Sequence, residues 1–311
     1  MRLASVGREF FFHVVLTLSL FLSIAFVPLA GFLSGILTPS PTVLSSLRWK
    51  PQTALLVPII SGVLGAVGLV LMDMLQSVPY FVALLGMGIV MGHGIRNMWS
   101  AEKVVGLSSL VLIAIAGFLL ALGYIESKGE MIRLLETDLQ NAVSSALKQF
   151  GTQSVETQAL ESALLASVPI IVRILPGILV SSALGVSWIN LLVARRYCRA
   201  AAVDFCLQEK LTYWKAPELL VWFAIAGGIM VLLPDGRLTF PGMNLLIVLG
   251  SIYFLQGIAI AAFYFDKWKM PAFARALIYA VLILQQFASM ATAAVGLFDM
   301  WFDFRRIKKP A

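Results

Sequence analysis

Few residues in this chain could carry acid–base, nucleophilic or metal chemistry. Histidine occurs twice, at His13 and His93, and cysteine twice, at Cys198 and Cys206. A structural metal site takes about four such ligands at short spacing, and no cluster of that kind is present. A helix would hold the two cysteines two turns apart, too far for an undistorted disulfide, so both read as incidental thiols. His93, in the run GMGIVMGHGIRN near a predicted helix end, reads as a hydrogen-bonded interface residue rather than a ligand. There is no phosphate-cradling loop, no G-x-G-x-x-G after a strand, no H-E-x-x-H and no G-x-S-x-G elbow. Asp73, Asp266, Asp299 and Asp303 are spread near the ends of apolar stretches instead of clustering. No catalytic residue, metal ligand or cofactor is assigned, and the expectation is a protein that is not an enzyme.

Polar side chains inside apolar stretches are more informative, because hydrocarbon offers them no water and each needs a partner. Arg173 lies between Pro169 and Pro176; it either snorkels to an interface or faces a polar cavity. Gln256 sits mid-stretch with Tyr253 on the same helix face three positions earlier, and Gln285 and Gln286 sit in the middle of another stretch. Either Gln256 bonds across helices to one of that pair, or Arg173, Trp222, Tyr253, Gln256 and Gln285 line a small-molecule pocket. Asn190, Glu218 and Asn244 lie near predicted helix ends and read as caps or anchors.

The elements that must position these residues follow from composition. The chain has 311 residues, 60% apolar and only 13% charged, with a mean hydropathy of +0.92. Soluble domains run nearer a quarter charged, so too little polar surface exists to cover a core this apolar. Windows 52–72, 104–125 and 276–298 contain no Asp, Glu, Lys or Arg, and 10–37 has only His13. Such unbroken runs of roughly 20 residues are spanning helices; barrel strands would alternate instead. The spacing predicts membrane segments at about 10–37, 52–72, 79–95, 104–125, 164–194, 216–233, 243–265 and 272–298. The fold class is all-α: a polytopic transmembrane bundle of about eight helices, with a ninth short or re-entrant one at 39–50. Prolines at 28, 39, 41, 169 and 176 mark the first and fifth segments as bent or partly re-entrant. Arg2 and Arg8 precede an apolar run too long for a signal peptide and without a convincing cleavage site, so it reads as an uncleaved first helix.

Between 126 and 163 the chain turns polar. Met131, Leu134, Leu135, Leu139, Ala142, Val143, Ala146, Leu147 and Phe150 recur at helical spacing, predicting one amphipathic surface helix. The organisation is thus 1–125 membrane helices, 126–163 extramembrane segment and 164–311 membrane helices, one integral domain overall. Glycines and small residues four apart, at 88/92, 177/181/185 and 288/292/296, let backbones approach closely. The regions 48–50, 96–103, 195–215 and 267–275 hold twelve Lys or Arg, which the positive-inside rule places in the cytoplasm. Strict alternation of eight crossings then puts both termini outside, including Arg305, Arg306, Lys308 and Lys309. The ninth partial crossing would return only the N-terminus, so orientation stays open. A formal charge of +7 fits anionic lipid rather than nucleic acid.

Four pieces carry a family resemblance: PIIVRILPGILVSSALGVSWINLLVARR (169–196), WKAPELLVW (214–222), SIYFLQGIAI (251–260) and GLFDMWFDFRR (296–306). In this order they resemble the YybS-like family of bacterial multi-pass membrane proteins, through a proline-containing helix ending in Asn190 and Arg195–Arg196, a Trp-x-x-Pro start and a Gln-Gly helix. That family is distantly similar to the substrate-binding S components of energy-coupling-factor transporters, although this chain is longer and its 126–163 segment has no counterpart there. The resemblance implies the bacterial cytoplasmic membrane and a non-enzymatic transport or substrate-capture component with a small-molecule ligand. The alternative is a structural protein that binds another envelope or membrane protein. No family residue roles carry over. Expected partners are the lipid bilayer and either such a ligand or such a protein, with no nucleic acid.

Overall fold

A computed structural model describes residues 2–149, 155–201, 210–233 and 236–306. Among them the regular structure is helical: α1 Arg2–Phe26, α2 Pro28–Gly35, α3 Pro39–Arg48, α4 Pro51–Leu71, α5 Val78–Arg96, α6 Ala101–Glu126, α7 Met131–Gln149, α8 Val155–Ala200, α9 Leu220–Leu232, α10 Thr239–Lys267, α11 Ala272–Leu284 and α12 Gln286–Phe302. The sequence punctuates these helices itself. Proline stands in the first turn of α2, α3, α4 and α5, where its missing N–H would have lacked a partner anyway. After α4, α5, α6 and α10 the chain turns with left-handed residues that are not glycine, Asp73, Met98, Lys128 and Lys269. Each turn closes a six-residue bond, such as Trp99 N to Gly94 O at 3.0 Å.

The chain forms two compact units. The first comprises residues 1–116, 182–217 and 251–311 and the second 117–181 and 218–250. In the first, α5 is the central helix: over half of it is buried, against a third or less of the other spans. Phe81, Leu84, Met87, Met91 and Ile95 of α5 are sealed from solvent. They pack with Val43 and Leu47 of α3, Leu69 of α4, Val104 of α6 and Leu191 of α8. Gly92 gives α3 room to approach, since a Cβ there would stand 2.5 Å from Ser46 Cβ. By contrast α4 turns Leu56, Ile59, Val63 and Val67 outward, the surface a lipid-facing helix needs.

Five helices are long and apolar enough to cross a bilayer, α4, the α5 region, α6, α8 and α10, and the pair α11–α12 makes a sixth if counted together. The expected eight are therefore not reached among the described residues. Segment 216–233 yields the 13 residues of α9, about 20 Å of helix against a core of about 30 Å. The first region, 10–37, divides into α1 and α2 at Val27, before Pro28. The short helix expected at 39–50 is α3, ten residues with Pro39 to Val43 buried.

The breaks between helices coincide with the expected prolines at Pro28 but not in 164–194. α8 is one helix of 46 residues that contains both Pro169 and Pro176, whereas proline-free 272–298 bends by 97° between α11 and α12. Side chains make that break affordable. Gln285 Oε1 caps Ala288 N, and Ser289 Oγ donates to Leu282 O at 2.7 Å, so a donor and an acceptor at the bend find side-chain partners. The amphipathic helix is α7, beginning at Met131 as its apolar spacing predicts; Phe150, the last residue of that stripe, lies outside the described residues.

Candidate functional site

In the first unit, three of the sequence pieces singled out above converge on a buried polar node. Gln256 of α10 is fully buried. Its Oε1 accepts from Ala216 N at 3.0 Å, and its Nε2 donates to Asp299 Oδ2 of α12 at 3.2 Å. Arg305 Nη2 reaches the same oxygen at 2.8 Å, and neither the arginine nor the carboxylate side chain is exposed. Phe304 N donates to Asp299 Oδ1; Arg305 Nη1 donates to Thr212 O and Trp214 O at 2.8 and 2.9 Å. Gly257 and Gly296 make this possible. A Cβ on Gly296 would strike Tyr253 O, and one on Gly257 would strike Thr292 O, so the two backbones touch. At the rim, Lys215 pairs with Asp303 at 2.7 Å.

The second unit holds a different device. In an unbroken helix Gly177 N–H would donate to Arg173 O. Here Gly177 N also donates to Asn244 Oδ1 at 2.5 Å, while Asn244 Nδ2 donates to Arg173 O at 2.9 Å. One carboxamide thus spans the turn of α8 that holds Pro176 and supplies both a donor and an acceptor to its backbone, as a proline-bearing helix in hydrocarbon needs. The Arg173 guanidinium lies 4.7 Å over the Phe240 ring.

The sequence candidates take these places. Tyr253, Gln256 and Gln285 belong to the first unit, Arg173 and Trp222 to the second. Tyr253 is buried, with no hydrogen-bond partner for its hydroxyl. Gln285 is an exposed helix cap and Trp222 is 69% exposed. Asn190, read as a cap or anchor, ties α8 to α3: Ser40 Oγ donates to its Oδ1 at 2.6 Å. His93 bonds Asn97 and packs edge-on against Trp99. Cys198 is disulfide-bonded, which corrects its reading as an incidental thiol. Cys206 lies outside the described residues. No group of three or more His, Cys, Asp and Glu suited to a metal occurs among the described residues.

A cavity of about 860 Å³ opens in the first unit, and none of the five sequence candidates lines it. Trp188 and Leu192 of α8, Ile258, Ala259 and Ala262 of α10, and Tyr279 and Ile283 of α11 form its mostly apolar wall. Its charged lining is Arg195, Arg199, Lys210, Asp266 and Arg275. Arg275 is committed to Asp266, to Met270 O and to Phe265 O. Arg199 and Lys210 are exposed and make no ion pair among the described residues. The sequence did signal these cations, as a basic loop bearing on orientation; that they border a cavity is a product of packing. The arrangement sets positive charge beside apolar surface.

Long apolar helices with lipid-suited outer faces define a polytopic α-helical integral membrane protein. The chain belongs to the family described as Predicted membrane protein (DUF2232), which matches residues 15–300. No curated protein and no solved structure matches it.

Proposed function

We propose that the protein is a non-enzymatic component of the bacterial cytoplasmic membrane that captures a small molecule for transport, in the cavity of the first unit. The cavity carries the reading. Its volume, about 860 Å³, falls in the range of roughly 300–1,000 Å³ typical of ligand pockets, and it pairs apolar walls with a few convergent polar groups. The resemblance to transporter S components points the same way. A pocket at Gln256 itself is not favoured, because that side chain is spent on Ala216 and Asp299. The solid packing there is what a structural protein that binds an envelope partner would also need, and this is the second reading.

Purification in mild detergent followed by mass spectrometry of bound molecules tests the choice. Ala262 lines the cavity, so Ala262→Trp should fill it and expel a small molecule that co-purifies with the wild type. Retention of the same molecule by a folded Ala262→Trp protein, or co-purification of a stoichiometric protein alone, would overturn capture.

A further inference from the structure

We infer that the cavity takes an anionic amphiphile, a phosphate-headed membrane lipid whose head lies at Arg199 and Lys210 and whose tail lies along Trp188, Ile258 and Ile283. This rests on the capture reading and adds the class of ligand. The argument is the ordering of the lining along three helices. On α8, Trp188 and Leu192 come before Arg195 and Arg199, and on α10, Ile258 and Ala262 come before Asp266. On α11 the order reverses, with Arg275 first and Ile283 last. The chain turns back between α10 and α11, as the Arg275–Asp266 pair and the Phe265–Tyr279 ring contact require. All three helices therefore set their charges at one end of the cavity and their apolar residues at the other. From Trp188 to Arg199 is about 16 Å and from Ile258 to Asp266 about 12 Å of helical rise.

Each end excludes a different class of ligand. Among the described residues, Arg199 and Lys210 stand exposed at the charged end without an ion pair, beside an Asp266 already paired with Arg275. A neutral lipid would gain nothing from these two cations. A small soluble anion would answer them but gain nothing from the apolar wall, where charge without a partner is costly to bury. A phosphate monoester on an acyl chain satisfies both ends, with guanidinium and ammonium groups as its natural donors. The basic loops that include these residues are the ones the positive-inside rule puts beside anionic cytoplasmic headgroups.

The test uses the full chain in a neutral maltoside detergent and three probes, read by tryptophan fluorescence and native mass spectrometry. Lysophosphatidic acid has head and tail, the matching monoacylglycerol only the tail, and glycerol 3-phosphate only the head. Lysophosphatidic acid should bind saturably, at least ten-fold tighter than monoacylglycerol, and glycerol 3-phosphate should not saturate. Arg199→Gln with Lys210→Gln should weaken lysophosphatidic acid about thirty-fold, at roughly one surface charge interaction each, and leave monoacylglycerol unchanged. Both residues are exposed, so this variant should fold; its thermal midpoint checks that. Ala262→Trp should weaken both acyl probes. Equal binding of the two acyl probes, strong glycerol 3-phosphate binding, or an unaffected double variant would overturn the ligand class. If no probe binds but Ala262→Trp still expels a co-purified molecule, the class falls and capture stands. If neither occurs, both fall.

Discussion

Replacing Asp299 by asparagine keeps the shape of the node beneath α10 and removes its charge. Asp299 accepts three hydrogen bonds, from Arg305, Phe304 N and Gln256. An asparagine has one oxygen, so whichever way its amide turns, an N–H faces a donor. It confronts either Phe304 N or the Arg305–Gln256 pair. In the second orientation the guanidinium, fully buried, keeps only Thr212 O and Trp214 O as acceptors; in either, the negative charge that answers it is gone, and its Nε has no partner among the described residues. Removing one member of a buried pair costs about 3–5 kcal/mol. The exposed pair Lys215–Asp303, with side chains 37% and 40% exposed, should cost no more than about 1 kcal/mol when Lys215 is replaced by methionine. Denaturation by SDS from mixed micelles, followed by tryptophan fluorescence, measures both. Asp299→Leu together with Arg305→Met should recover much of the loss of Asp299→Leu alone, because an apolar pair leaves no unanswered charge. An Asp299→Asn protein within about 1 kcal/mol of wild type, or single variants that add without coupling, would refute the claim that this pair is what joins the C-terminal run to 212–216.

Gly92→Leu should destabilise far more than Leu84→Ile in detergent thermal scans. A side chain at 92 meets Ser46 Cβ at 2.5 Å and Val43 Cα at 3.6 Å, whereas the second change conserves volume at a cost under about 1.5 kcal/mol. Asn244→Leu should cost about 1–2 kcal/mol, since it strips both Gly177 N and Arg173 O of a side-chain partner; hydrogen exchange should show that turn of α8 opening first. Gln256→Leu should cost a similar amount by leaving Ala216 N unpaired, while the molecules that co-purify stay unchanged. A lost ligand would mean that Gln256 is part of the binding site.

Much of this protein is determined by local chemistry that a linear reading can follow. Unbroken apolar windows must become helices, because hydrocarbon satisfies no free backbone group; α4 and α6 lie where the windows 52–72 and 104–125 do, while 10–37 and 276–298 each divide into two helices. Prolines at 28, 39, 51 and 79 start helices for a reason contained in one residue. Gly88 and Gly92 meet α3, and Gly296 meets α10, as their spacing of four anticipates, although a Cβ on Gly185 would meet nothing within 4 Å. The burial of Gln256 likewise follows from its depth.

Tertiary packing decided the rest, since each remaining feature depends on a partner remote in sequence. Gln256 finds Asp299 rather than a glutamine of the 285–286 pair. Gln285 turns out to cap a bend that its apolar neighbours gave no sign of, and Pro176 leaves α8 continuous because Asn244 bridges its turn. The cations of the basic loops come to border a cavity only through the packing of α8, α10 and α11. Apolar runs of similar composition can pair in many ways, and only the three-dimensional arrangement selects which polar groups meet and where space remains between them.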